Sequence, residues 1–212
     1  MAMVQNGGRY SVDVENPTLA DLMDEAEISQ LLAAYGPGRR WPINVEVSAE
    51  TYGEWRRKLV AKSNRRGEAV LVIQRHDGQI LLHTKRFYPE AIYRLPSGGI
   101  HPDEPVLEGM LREAKEETGL EVTLDRFLGT VEYEFCHEQQ RLPFVSYVFV
   151  LQVNDSLPVA QDEGEQITGF RYVSPASLRQ VAAQLRALPN RWGDWGQFRA
   201  PPHDLAADAL EQ

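Results

Sequence analysis

Cysteine is nearly missing from this chain. Cys136 stands alone among 212 residues, so no intrachain disulfide can form and nothing points to an oxidising compartment. Also missing is any apolar run of membrane-spanning length, and the opening MAMVQNGGRY carries no signal-peptide core. Together these absences lead us to expect a cytoplasmic protein without a membrane partner. Basic residues are in deficit: 22 Lys and Arg against 31 Asp and Glu give a formal net charge of −9. Bulk nucleic-acid binding, which relies on a basic footprint, is thereby disfavoured. A small phosphorylated ligand is not, because a bound divalent cation reverses the local field. No internal repeat and no separate helix-turn-helix is present. What remains is an ordinary globular composition, 42% hydrophobic and 25% charged, long enough for one domain with terminal additions.

Residues 1–17 are polar and contain glycine, and read as a loose terminus. TLADLMDEAEISQLLAAY (18–35) predicts a helix with Thr18 as its cap; GPGRRWP breaks the pattern, and INVEV (43–47) alternates as a short strand. Ser48 caps a second helical stretch, AETYGEWRRKLVAKS. Its end carries the one basic cluster: Arg56, Arg57, Lys58, Lys62, Arg65 and Arg66. That cluster reads as a solvated helix face, a phosphate-facing wall or a subunit contact. From Glu68 the pattern turns to strands. EAVLVIQR and QILLHTKRF flank an Asp77-Gly78 hairpin signal, and AIYRLP (91–96) reads as a third strand leading into the loop SGGI. EVTLDRFLGTVEYEF (121–135) and LPFVSYVFVLQV (142–153) form a second pair, followed by an acidic loop, a strand ITGFRYV (167–173) and a helix (174–188) capped by Ser174. The tail holds Trp192, Trp195, Phe198 and a last short helix, and reads as packing against the domain. Cys136, in a strand-like segment, also reads as packing.

The chemistry concentrates between Gly98 and Leu120, GGIHPDEPVLEGMLREAKEETGL. Asp103 or Glu104 can cap a helix with Pro105 in its first turn, and Gly119 can stop it. Leu107, Met110, Leu111, Ala114 and Thr118 fall on one stripe and predict its buried face. Glu113, Glu116 and Glu117 gather on another face within about 100° of arc. Neighbouring carboxylates repel, and clustered carboxylate oxygens suit Mg²⁺ or Mn²⁺ better than a softer metal. Arg112 stands where it can pair with Glu104 or Glu116.

The full spacing is G-x5-E-x7-R-E-U-x-E-E-x-G-U, with U aliphatic or small and apolar, and every defining position is filled. It resembles the Nudix box. With the order of hairpin, strand, glycine loop, acidic helix, β pair, acidic loop, strand and helix, the resemblance to a Nudix hydrolase covers roughly residues 66–188, flanked by an N-terminal extension (1–65) and a C-terminal tail (189–212). The resemblance implies an α+β fold, an α/β/α sandwich around a mixed β-sheet, with a helical N-terminal extension and a short C-terminal tail. It implies hydrolysis of a nucleoside diphosphate linked to another moiety, with a divalent cation, Mg²⁺ or Mn²⁺, as cofactor. By matching position, Glu113, Glu116 and Glu117 become the metal-binding carboxylates, with Glu116 also counted among the catalytic groups. A backbone carbonyl at Ser97 or Gly98 becomes a further ligand, and Glu104 and Arg112 brace the loop and helix.

The box does not fix the base. In the loop QDEGEQ (161–166), Glu163 as base and Glu165 as outer metal ligand resemble the arrangement in ADP-ribose pyrophosphatases, with Glu132 and Glu134 as rivals. Arg86 and Arg94 are candidates for substrate phosphates or plain strand arginines, with the glycine loop Gly98-Gly99 beside them. Tyr88, Tyr93, Phe135 and His137 are candidates to stack on a base, or else core. Length, the N-terminal extension and the late acidic loop favour ADP-ribose or a nucleotide sugar as the small-molecule substrate. Against that branch, its downstream proline is absent from VEYEFCHEQQ, and Arg94 stands where many of its members carry glutamate. Dinucleoside polyphosphates and nucleoside triphosphates, modified ones included, form the alternative. A noncatalytic nucleotide sensor and an isomerase using Cys136 on an allylic diphosphate are the readings from other classes. The N-terminal segment leaves a homodimer open.

Overall fold

A computed structural model describes residues 17–61, 65–154 and 156–211. The reading of the first residues as a loose terminus, apart from Pro17, and Lys62 of the basic cluster lie outside the described residues. In chain order the elements are α1 (Leu19–Leu22), α2 (Glu25–Tyr35), β1 (Arg39–Glu46), α3 (Ala49–Arg56), β2 (Gly67–Arg75), β3 (Ile80–Lys85), β4 (Ser97–Ile100) and α4 (Val106–Thr118). They continue with β5 (Val122–His137), β6 (Gln140–Val153), β7 (Ile167–Val173), α5 (Leu178–Arg186), α6 (Trp192–Arg199) and α7 (Pro201–Leu210).

Side-chain alternation builds the layers. Along β2, Val70 and Val72 enter one core while Ala69, Leu71 and Ile73 enter another. β6 does the same, with Val148 and Val150 on one side and Tyr147, Phe149 and Leu151 on the other. An unbroken apolar run is what a strand covered on both faces requires. The sheet order is β1-β5-β6-β2-β3-β7, with β4 pairing β2 off that path. β1 lies parallel to β5 and β2 parallel to β6, whereas β5–β6, β2–β4 and β3–β7 are antiparallel. α1, α2 and α4 cover one face; α3, α5, α6 and α7 cover the other. This is the expected α/β/α sandwich on a mixed sheet.

Several elements differ from the sequence reading. The helix expected over 18–35 breaks at Met23, because the Asp24 side chain accepts from the N–H groups of Ala26 and Glu27 and starts α2 afresh. β1 begins at Arg39, inside the stretch expected to be a break; Pro42 is tolerated because β1 is an edge strand. The helix after Ser48 passes into a π turn at Arg57–Ala61. Residues 91–96 are not a strand. Ala91 has φ +61° and only Arg94 bridges, to His83, while the glycine loop expected at 97–100 is the strand β4. The tail makes two helices rather than one, and Phe198 packs on Tyr133, Phe135 and Phe144 at ring-centroid distances of 5.0, 5.2 and 5.4 Å.

Candidate active site

α4 starts at Val106 behind Pro105, which has no side-chain donor or acceptor to cap it, so the expected cap at Asp103 or Glu104 is corrected. The cap comes from elsewhere: Val106 N–H donates to Glu27 Oε1 of α2 at 2.6 Å. Gly119 ends the helix at φ +68°, a left-handed cap that glycine adopts without strain. The buried face holds Val106, Met110, Ala114 and Thr118, together with Glu113 and Glu117; Leu111, expected inside, is 49% exposed. The stripe is turned because two of the three box glutamates face the sheet rather than solvent.

Arg112 gathers the carboxylates. Its Nε and Nη2 donate to the two oxygens of Glu104, both at 2.8 Å, and Nη2 also donates to the Gly99 carbonyl at 2.8 Å. Its Nη1 donates to Glu113 Oε1 at 2.8 Å and Glu116 Oε2 at 2.9 Å. Hydrogen bonding from Arg112 holds the Glu104 carboxyl below its usual pKa, whereas burial raises that of Glu113 even against the pull of Arg112. Gly98 leaves this space to Glu113: a Cβ at that position would lie 1.8 Å from Glu113 Oε2, so the carboxylate would have to swing away.

Glu117 lies deeper, fully enclosed, with its carboxyl pushed up to about 7 by burial and partly restrained by Lys85 and Arg94. Lys85 Nζ donates to Glu117 Oε1 at 2.9 Å and also pairs with Glu165. Burial lowers the pKa of that ammonium, but Glu117 and Glu165 more than offset it. Among the described residues Glu117 Oε2 has no hydrogen-bond partner; His83 Nδ1 stands 3.9 Å away, and burial followed by repulsion from Arg94, Lys85 and Arg199 keeps that imidazole neutral.

Beside these pairs, Glu68 accepts from Ser146 Oγ at 2.7 Å and Ser97 Oγ at 3.1 Å and pairs with Arg199 of α6. Burial alone would raise its pKa, but Arg199, Arg94 and the Ser146 hydroxyl bring it below the usual value. Arg94 is buried, donating to Tyr88 Oη at 2.8 Å and Ser97 Oγ at 2.9 Å. A cleft of about 360 Å³ opens over this assembly.

Of the residues expected from sequence, Arg94, Ser97, Gly98, Gly99, Arg112, Glu113, Glu116 and Glu165 line the cleft. Glu104 and Glu117 stand behind it, held by Arg112 and Lys85 respectively. Arg86 and Glu163 are exposed and are not among the cleft-lining residues. The rivals are elsewhere too: Glu132 pairs with Arg40 and accepts from Thr130 Oγ1 at 2.9 Å, and Glu134 faces Arg141 at 4.0 Å. Of the proposed stacking residues only Tyr88 reaches the cleft; Phe135 is core, Tyr93 lies over Arg171, and His137 meets the Val47 carbonyl. Cys136 is a buried thiol raised above its usual pKa by burial. Lys85, Glu68 and Arg199 were missed. A charge heading the apolar run of β2, and a lysine sharing a strand face with His83, were the available signals for the first two.

The box implies a divalent cation. Among the described residues no three His, Cys, Asp or Glu side chains converge as a metal-ligand group; the carboxylates are divided between Arg112 and Lys85. The donor set still fits a hard cation. Glu113 and Glu116 present carboxylates to one cleft, Glu117 keeps a buried oxygen without a partner among the described residues, and Gly98 leaves room for Glu113.

A family model described as NUDIX domain matches residues 59–195. A putative 8-oxo-dGTP diphosphatase of Bacillus subtilis (strain 168) is 27% identical over 137 residues, 65% of this chain and 82% of that protein. Nudix hydrolase 2 of Arabidopsis thaliana is 35% identical over 69 residues, 31% of this chain, which spans only 24% of that protein's length. Among solved structures, a C. elegans Ap4A hydrolase in a binary complex aligns with a TM-score of 0.46 at 16% identity, covering 68% of this chain and 97% of that one. With its family match spanning β2 to β7 and the acidic helix, this chain belongs to the NUDIX domain family and is a hydrolase of that family.

Proposed function

We propose that the chain hydrolyses the pyrophosphate bond of a nucleoside diphosphate linked to another moiety, with ADP-ribose or a nucleotide sugar as the substrate class. The observation that carries this reading is the single guanidinium of Arg112 holding Glu113 and Glu116 in a cleft that also presents cationic side chains, with Glu104 bracing it from behind. Breaking a pyrophosphate requires charge neutralised on crowded oxygens and a water made nucleophilic; a divalent cation on these carboxylates supplies both. The chain's own residues supply the rest. Arg112 fixes the carboxylates and, through the Gly99 carbonyl, the strand β4 beside them. Glu165, the loop acid that lines the cleft, is the candidate to accept the water's proton, in place of Glu163.

A second reading is favoured by the Bacillus subtilis relative, whose name gives an oxidised nucleoside triphosphate as substrate. A Mg²⁺- and Mn²⁺-dependent panel of ADP-ribose, UDP- and GDP-sugars, dinucleoside polyphosphates and modified dNTPs, scored as kcat/KM, separates the two. Preference for a diphosphate-linked substrate supports the first reading, and preference for triphosphates replaces it. Tight nucleotide binding with no turnover would instead favour a sensor. Glu165→Gln should lower kcat at least tenfold and Glu163→Gln should not; the reverse order returns the base to Glu163.

A further inference from the structure

Most cations around the cleft are committed. Lys85 is held by Glu117 and Glu165, Arg112 by three glutamates, Arg199 by Glu68, and Arg94 by Tyr88 and Ser97. Arg65 is different. It lines the cleft yet makes no hydrogen bond or ion pair with any described side chain. Its guanidinium lies against β4, where a Cβ on Gly99 would meet Arg65 Cζ at 3.1 Å. A guanidinium left with open donors at the mouth of a polar cleft is a ready partner for phosphate oxygens.

The same cleft has an aromatic wall. Phe87, 53% exposed, is among the side chains that line it. It meets Tyr88 edge-on, with ring centroids 5.1 Å apart at 89°, and Trp195 of α6 meets the same Tyr88 at 5.0 Å and 54°. Tyr88 is fixed by the bond from Arg94 Nε to its hydroxyl, so both neighbours rest on a held ring. A half-exposed phenyl ring and a partly buried indole lining the cleft with an open guanidinium match a ligand with a π-face and a phosphate. The cleft volume of about 360 Å³ is within the range of small-molecule sites.

We propose that Phe87 and Trp195 stack the nucleobase of a nucleoside phosphate while Arg65 grips its phosphate. This rests on the pyrophosphohydrolase reading and adds which side chains take which part of the substrate. The test is calorimetric titration of the full chain with AMP, ribose 5-phosphate and adenosine. Phe87→Ala and Trp195→Ala should each weaken AMP about tenfold and leave ribose 5-phosphate unchanged. Arg65→Ala should weaken AMP and ribose 5-phosphate alike and leave adenosine unchanged. Because Trp195 also packs on the core, Trp195→Phe serves as the folding control and should retain most of the AMP affinity. A wild-type chain with no preference for AMP over ribose 5-phosphate overturns the proposal, as do aromatic variants that bind AMP like wild type. Turnover of the diphosphate panel is scored separately. Cleavage with unaltered AMP affinity in the variants removes this site and keeps the hydrolase. The expected variant pattern in a chain that cleaves nothing does the reverse.

Discussion

Lys85 Nζ donates to Glu117 Oε1 at 2.9 Å, with the lysine side chain 8% exposed and the glutamate fully enclosed. The pair joins the end of β3 to the second-last residue of α4, so it ties the acidic helix to the sheet. Removing one partner of a buried pair costs about 3–5 kcal/mol when the other stays charged, and somewhat less here because Glu117, already raised to about 7, can take up a proton. Lys85→Met should therefore lower Tm of the metal-free protein by roughly 10 °C, and Mg²⁺ should recover part of that loss. Glu117→Gln should abolish metal-dependent turnover in a folded chain. Near-wild-type activity would remove Glu117 from the metal site.

Gly98 and Glu113 compete for one space. In Gly98→Ala the new methyl would fall 1.8 Å from Glu113 Oε2 and must displace the carboxylate. The expected result is a fall in kcat/KM of at least tenfold with little change in urea unfolding, because only the end of the Glu113 side chain has to move. Unchanged kinetics would show that Glu113 does not act from the position it holds here.

Glu27 lies far from the box in sequence but caps its helix. Its Oε1 accepts from Val106 N–H at 2.6 Å and its Oε2 from Arg66 Nη2 at 2.7 Å. Glu27→Ala should cost about 2 kcal/mol, a cap plus one side of a largely buried ion pair. It should also speed amide hydrogen exchange at Val106 more than in α5. Equal exchange in both helices would count against the cap.

His203 makes stability sensitive to acid. Leu95 N–H donates to its Nε2 at 3.0 Å, so its Nδ1, 2.9 Å from the Arg199 carbonyl, carries the proton. Burial depresses its pKa to about 3, from the usual 6.5, despite the favourable bond to Arg199 and with Arg94 and Arg199 adding repulsion. The unfolded chain thus binds a proton that the folded chain refuses between those values, so this contribution is fully present above pH 6.5 and is lost as pH falls toward 3. Between pH 7 and 5 the loss should be about 2 kcal/mol. The difference in unfolding free energy between wild type and His203→Gln should shrink by that amount over this interval; a pH-independent difference would contradict the assignment.

Much of the site was legible in the spacing of Gly98, Glu104, Arg112, Glu113, Glu116, Glu117 and Gly119, because a helix converts fixed offsets into fixed directions. The Arg112 bonds to Glu104 and Glu116 follow from those offsets. The strands of the two-sided core were legible for a similar reason, since β2 and β6 are apolar without alternation. The offsets could not show which face of α4 meets the sheet, and the expected stripe put Leu111 inside and left Glu113 and Glu117 off the buried face. Nor could composition place the acidic loop, where Glu163 and Glu165 are two residues apart and only Glu165 reaches the cleft.

By itself the sequence determined the acidic helix, its bracing arginine, the β-rich core and the family to which they belong. All of these rest on local offsets, which backbone geometry turns directly into position. Only the tertiary structure decided that Lys85 faces Glu117, 32 residues away, and that Arg199 faces Glu68, 131 residues away. Such pairs leave no period in the chain. They are set by sheet register and by where the C-terminal helices dock, and burial then selects charges that can be compensated there.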